Sequence, residues 1–481
     1  MSTAVRLQRM LPLGLLLGAY ALAVSVDAQN SRNEESFAFV HVAVIDGTGG
    51  SQKLDQTVVV SGQRITTVGS AATVTLPRRT RVIEAAGRFL IPGLWDMHVH
   101  TRYEGIDHLR LLLATGITSA RDMAGPWGHL EQIHEWRAQI ERGERLGPRI
   151  VAAGPLLDGP GSSWSHAAIV GGPDEGRETV RRLKRQGADF VKVYDLLSRD
   201  SFFAIVDEAK RQGLTFVGHV PNTISASEAS DAGQRSIEHT DALLIDCSEH
   251  DKELRAELVA GRRPAGSILL SALNSFSPAK AKALAVQLRD NHTSVVPTLS
   301  LSAARVGIAR RDPTVVSAES LRYVPAAYRA EWSRQQTSAQ QAEAAPLLFA
   351  RSRELVKTLH DADVELLAGT DVVKAFFVPG FSLHDELSLL VKAGLSEMEA
   401  LEAATRRPAR FLGLKDLGTI EPGMLADLVL LEGNPLQNIG NTRRVASVVS
   451  NGRLMEKRDI DATLKDVERT AGSWSGTPTG R

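Results

Sequence analysis

The sequence predicts an α/β protein, a (β/α)8 TIM barrel joined to a β-sandwich domain formed from both chain ends. Three observations point there. Eight short apolar runs alternate with stretches of helical composition, both ends of the chain are β-rich, and single polar residues terminate several central runs. At 481 residues, 43% hydrophobic and 23% charged, the chain can hold one large domain and a smaller one. Lys plus Arg and Asp plus Glu are both 56, so no overall field gathers nucleic acid or cationic substrates. The expected partner is a small molecule recognised locally.

Taken in chain order, Arg6 and Arg9 precede the apolar run Leu11 to Val26, and Val26-Asp27-Ala28 suits a signal peptidase. Residues 1–28 are therefore expected to be a cleavable export signal, and the protein secreted or periplasmic. The alternative, a retained anchor, needs ~20 apolar residues, more than this run holds. No integral span is expected in the mature chain. Cys247 is the single cysteine, so an exported form has no internal disulfide and relies on its core.

Residues 29–90 contain Phe39-Val40-His41-Val42-Ala43-Val44-Ile45, then Thr57-Val58-Val59-Val60 turning at Ser61-Gly62-Gln63, which predicts a small sheet or sandwich. Residues 416–465 repeat the pattern in Ala426-Asp427-Leu428-Val429-Leu430-Leu431 and in Val445 to Ser450, where Asn451-Gly452 signals a hairpin. Residues 466–481, rich in Gly, Ser, Thr and Pro from about Arg469, are expected to form a loose tail.

Between them, residues 91–415 carry strand candidates at 94–100, 117–122, 149–154, 189–194, 214–219, 235–239, 294–297 and 365–371. Their number favours a closed barrel over an open doubly wound sheet. The connection from Thr298 to Val364 reads as extra helices, a candidate lid or subunit contact, and so makes a homo-oligomer a candidate assembly.

Chemistry concentrates at the strand ends. Leu94-Trp95-Asp96-Met97-His98-Val99-His100 sends His98 and His100 to one side of a strand. At the C-terminal end of a barrel strand, that side opens into the active-site mouth. A His-x-His pair alone is a weak signal. It gains weight because His219, His239 and Asp371 end three other runs, and Lys192 and Tyr194 share one face of Phe190-Val191-Lys192-Val193-Tyr194. The competing reading of each histidine is ordinary core packing, and that of Lys192 an ion pair with a carboxylate such as Asp371. For Tyr194 it is packing at the barrel rim. His166, in the loop after the third strand, is a candidate substrate contact or an ordinary loop histidine. His384, at a helix start after the eighth strand, is a candidate orienting residue behind the ligands or a helix cap.

Ile91-Pro92-Gly93-Leu94-Trp95-Asp96-Met97-His98-Val99-His100, Val191-Lys192-Val193-Tyr194, Gly218-His219-Val220, Ile237-Glu238-His239-Thr240, Gly369-Thr370-Asp371 and Leu417 to Val429 together resemble the amidohydrolase superfamily. The nearest likeness is to its imidazolonepropionase-like branch, which includes prolidase-like and Xaa-Arg dipeptidases. The resemblance spans roughly residues 37 to 460. It implies a barrel with a β-sandwich and two divalent metal ions, with zinc expected first. His98, His100 and Asp371 would hold the more buried ion, His219 and His239 the more exposed one, and a CO2-derived carbamate on Lys192 would join them. The bridging lysine separates this chain from true imidazolonepropionases.

The implied reaction is cleavage of a C–N amide bond in a dipeptide or N-acyl amino acid by a metal-bridging hydroxide. Asp371 would act as the general acid and base, and Tyr194 would stabilise the oxyanion. The alternatives are an esterase, lactonase or cyclic-amide hydrolase on the same site, and, from another class, a catalytically silent metal-binding scaffold.

Overall fold

The computed structural model describes residues 36–310, 320–334, 337–372 and 375–478. The predicted signal segment, 1–28, lies outside them. The described strands are, at the N-terminal end, β1 (Ser36–Val44), β2 (Lys53–Ser61), β3 (Arg64–Ser70), β4 (Arg81–Glu84) and β5 (Phe89–Pro92). The middle holds β6 (Leu94–Val99), β7 (Ile117–Asp122), β8 (Arg149–Ala152), β9 (Leu157–Asp158), β10 (Ala168–Ile169), β11 (Phe190–Val193), β12 (Thr215–Gly218), β13 (Ser236–Glu238) and β14 (Ser294–Val296). The C-terminal end holds β15 (Leu428–Leu431), β16 (Val445–Ser450) and β17 (Arg453–Glu456).

The two ends meet in one eight-stranded sheet, ordered β17-β16-β15-β5-β1-β2-β3 with β4 beside β1. The join is β5 against β15, antiparallel, with Leu90 opposite Leu430. In β1 the inward residues are Phe37 and Phe39, then Val42 and Val44. A register shift between Phe39 and Val42, with His41 at a φ of 58°, moves the alternation by one and keeps all four on the same core. They pack with Val58, Val60, Leu428 and Leu430, each fully buried. Burial of one such side chain contributes roughly 1.5–3 kcal/mol. Where the sequence predicts a sandwich, the structure thus shows one sheet built from both ends with a core of its own.

In the middle, β6-β7-β8 form a parallel sheet, and β10-β9-β11-β12-β13-β14 form a second one. Seven of the eight predicted strands fall on β6, β7, β8, β11, β12, β13 and β14. The eighth is not a continuous strand: it touches its neighbours through parallel bridges Val295 to Leu366 and Val99 to Val372. These bridges link the two sheets side by side, and no sheet closes on itself among the described residues. Gly369 explains the close fit there, since a Cβ on it would lie 2.6 Å from Val296 Cγ1 and 2.9 Å from the His98 nitrogen.

Among its described residues the long connection is helical as predicted, with helices Leu299–Arg310, Ala326–Arg334 and Ala339–Asp361. The expected loose tail is corrected. A helix runs Lys457–Ser473, burying Ile460, Thr463, Val467 and Ala471. That spacing of three and four places one stripe against the body, and the Gly- and Pro-containing end begins only after it. Trp474 then stacks on Tyr328 at 5.4 Å between ring centroids. Among the described residues, no helix is long and apolar enough to cross a membrane.

Candidate metal centre

All six predicted ligands sit at one end of the parallel strands. His98 is in β6 and His100 directly after it, Lys192 is in β11, His219 follows β12, and His239 follows β13. Asp371 comes from the bridged eighth segment. His98 Nε2 is 3.4 Å and His100 Nε2 3.1 Å from Asp371 Oδ1. Lys192 Nζ lies 3.4 Å from His98 Nε2. The His239 ring is 4.9 Å from that of His98 and 4.9 Å from that of His219, centroid to centroid. The histidines expected in the buried half, His98 and His100, are 0% and 1% exposed, whereas the His219 side chain is 17% exposed.

The backbone is bent to make this convergence. His239, Thr298 and Asp371 have φ of 66°, 46° and 63°, and Gly218 one of 127°. A Cβ on Gly218 would lie 2.3 Å from the Val193 carbonyl oxygen, so only glycine fits before His219. Left-handed non-glycine residues cost on the order of 1–3 kcal/mol each, which the surrounding packing must offset.

Each of the four histidines uses Nδ1 on a partner behind it. His98 Nδ1 bonds Glu238 Oε2 at 3.0 Å, and His100 Nδ1 bonds the Ala124 carbonyl at 3.2 Å. His219 Nδ1 bonds Asp195 at 2.8 Å, and His239 Nδ1 bonds Thr298 Oγ1 at 2.7 Å. Nε2 is therefore the nitrogen left to serve a metal, the arrangement that orients imidazole ligands. Burial, followed by the Lys192 charge, holds His98 well below the usual histidine range, and burial does the same to His239. Both are neutral near pH 7, the form that binds a metal.

Glu238 is itself held by Arg121 Nη2 at 2.8 Å and Ser236 Oγ at 2.6 Å. Asp96 accepts the His98 and Thr370 N–H groups, each at 3.1 Å, and the Thr370 hydroxyl at 2.7 Å. Burial pushes its carboxyl up to about 7.

Tyr194 lies with its ring 4.0 Å from His219 and 5.8 Å from Lys192 Nζ. Its phenol is raised above the usual range by burial and then by Asp195, so it stays protonated and can donate. Trp164 hydrogen-bonds to it and stacks on His100 with ring centroids 5.8 Å apart.

His166 stands half-buried on the neighbouring loop, lowered by burial and by Arg102, and makes no hydrogen bond among the described residues. The orienting role expected of His384 is corrected. Its Nδ1 bonds Thr442 at 2.9 Å and its Nε2 the Thr115 carbonyl at 3.1 Å, so it ties helix Phe381–Lys392 to the scaffold instead of touching a ligand.

Several participants carry no assigned role in the sequence: Asp96, Arg121, Trp164, Asp195, Glu238 and Thr298. Asp96 was recoverable, because period two carries the His98 face back to it. The others reach the centre from separate strands and loops.

The donor set fits a divalent cation. His98, His100 and Asp371 are buried, and each offers an atom within 4.8 Å of the others. Neutral imidazoles with a carboxylate suit zinc and its neighbours. Fold and donors thus define a class first, an α/β scaffold with a histidine–carboxylate centre at its strand ends.

The amidohydrolase family model matches residues 89–455. An ochratoxinase of Aspergillus niger is 24% identical, over 95% of this chain and 96% of that protein. Among solved structures, the bottromycin amidohydrolase matches with a TM-score of 0.70 and 26% identity, over 92% of each chain. The putative prolidase from Bifidobacterium longum matches with a TM-score of 0.65 and 24% identity, over 90% of this chain and 99% of that one. This chain belongs to the amidohydrolase family. It is a hydrolase that acts on carbon–nitrogen bonds.

Proposed function

We propose that this protein hydrolyses the amide bond of a dipeptide or N-acyl amino acid with two divalent metal ions, zinc by preference. The observation that carries the proposal is the outward anchoring of all four Nδ1 atoms, which leaves four Nε2 atoms for the centre around Asp371 and Lys192. His98, His100 and Asp371 would hold one ion, His219 and His239 the other, with Lys192 as a carbamate between them. The carbamate is favoured because an ammonium beside two dications would be repelled, whereas a carbamate offers two anionic oxygens. The two linked parallel sheets support a (β/α)8 barrel. Arg6, Arg9 and Leu11 to Val26 support export.

Bound metals would supply Lewis acidity and a water acidic enough to act as nucleophile near neutral pH. The protein's own groups do the rest. Asp371, within 3.4 Å of both His98 and His100 nitrogens, can take the nucleophile's proton and pass it to the departing amine nitrogen. Tyr194, kept protonated by burial, offers its O–H to the carbonyl oxygen as negative charge develops there. Trp164 holds that phenol in place and covers one face of His100.

Support comes from a relative whose name describes an amide-cleaving enzyme, the bottromycin amidohydrolase. The test is metal analysis together with a panel of dipeptides, N-acyl amino acids, esters and lactones. Turnover of an amide with about two metals per chain is the expected result. Full metal loading without turnover of any panel member would overturn the proposed substrate class, and faster turnover of an ester or lactone would move the assignment there. Lys192→Ala should lose one metal and at least ~100-fold in kcat. If that variant keeps both metals and full activity, the carbamate is excluded.

A further inference from the structure

Helix Leu299–Arg310 starts one residue after Thr298, the partner of His239, and carries Arg305 two turns further on. Arg305 binds Asp241, two residues beyond His239, and does so with one nitrogen only. Nη1 reaches both carboxylate oxygens, at 3.2 and 2.9 Å. Nε and Nη2 make no hydrogen bond among the described residues, and the side chain is 37% exposed. Asp241 therefore fixes the guanidinium and leaves its remaining edge open. That edge presents two parallel N–H donors, the geometry that matches a carboxylate.

The charge of Arg305 is stabilised first by Asp241, against the cost of burial, and at longer range by Asp371. The guanidinium thus lies within electrostatic reach of that carboxylate. Its Nε and Nη2 have no protein acceptor among the described residues and remain available beside the candidate metal centre.

Resting on the proposed amide hydrolysis, we infer that Arg305 is the specificity residue of the candidate metal centre, receiving the substrate's free carboxylate in a two-point contact through Nε and Nη2. In a dipeptide or N-acyl amino acid, that carboxylate sits on the amine half, the part that leaves. Arg305 would therefore select substrates with a free C-terminal acid over their carboxamides or esters. It would also orient the leaving nitrogen.

The test pairs N-acetyl amino acids with their primary carboxamides on metal-loaded enzyme, using wild type, R305Q and R305K. Wild type should favour the acids by about 10- to 100-fold in kcat/KM, the range of a charged hydrogen-bonded contact. R305Q should lose most of that preference, mainly through KM on the acids, with a several-fold smaller loss on the carboxamides. R305K, which restores charge without the planar fork, should recover only part of it. Equal losses on acid and carboxamide, or no preference in wild type, would overturn the inference.

Calorimetric binding of the same acids and carboxamides separates this inference from the hydrolytic one. Acid-selective binding lost in R305Q supports the carboxylate contact even where nothing is turned over, in which case hydrolysis is what fails. Binding that ignores the acid group overturns it. Metal content and melting temperature of each variant show that the fold is kept.

Discussion

Glu238 shows how much of this site depends on single buried side chains. Its carboxylate is fully enclosed and satisfied by His98, Arg121 and Ser236. Removing its charge takes from the buried Arg121 guanidinium its one hydrogen-bonded carboxylate, with only Asp96 left at longer range, and a broken buried pair costs about 3–5 kcal/mol. Glu238→Gln should lower the melting temperature and weaken metal affinity about 10- to 100-fold, because His98 loses the partner that sets its tautomer. Unchanged metal affinity in a competition titration would remove Glu238 from the site. Buried histidines away from the centre make a second prediction. Burial pushes His108 down to about 4 and His384 down to about 3, from an ordinary value of 6.5. Below pH 6.5 the unfolded chain takes up protons that these folded residues refuse. Stability is therefore full above 6.5 and falls as pH drops toward 4, by about 1.4 kcal/mol per pH unit for each histidine. His384→Gln should reduce the pH slope of unfolding free energy by one proton between pH 6 and 5. An unchanged slope would contradict the assignment.

At the scale of elements, helix Leu299–Arg310 depends on a cap that lies far away in sequence. Glu386, fully buried in helix Phe381–Lys392, accepts the Leu299 N–H at 2.9 Å and the Ser300 N–H at 2.6 Å. Burial pushes its carboxyl up to about 7, although those two donors favour its charged form. The same turn holds Thr298 against His239 and carries Arg305. Glu386→Ala should cost about 1–2 kcal/mol in unfolding free energy and, in the proposed two-metal centre, loosen the ion expected at His219 and His239 before the one expected at His98, His100 and Asp371. Loss of both metals in parallel would argue against that coupling. The C-terminal helix Lys457–Ser473 is held by its Ile460, Thr463, Val467 and Ala471 stripe. Val467→Asp should destabilise by several kcal/mol through an unpaired buried charge, on the order of 3 kcal/mol or more, measured by urea unfolding. A change within about 0.5 kcal/mol would mean that the helix is peripheral.

At the scale of the whole molecule, the strand-end centre links distant parts of the chain, so ligand binding should stabilise all of it. Metal bound at one hundred times its Kd adds about 2.7 kcal/mol to folding stability. Chelation should lower the melting temperature and re-addition of zinc restore it; an equal melting temperature in both states would mean that the centre holds no metal. The sequence by itself determined the alternation of strands and helices, the β-rich ends and the six strand-end residues. These follow from local periodicity, which the backbone converts directly into faces and ends. Only the tertiary structure decided that the eighth strand is a bridged segment, that the C-terminal residues form a packed helix, and that His384 serves the scaffold. It also revealed the partners Glu238, Arg121, Thr298, Trp164 and Arg305. Such contacts join residues tens to hundreds of positions apart, set by packing and by left-handed turns at His239, Thr298 and Asp371, and no local pattern encodes which distant side chains will meet.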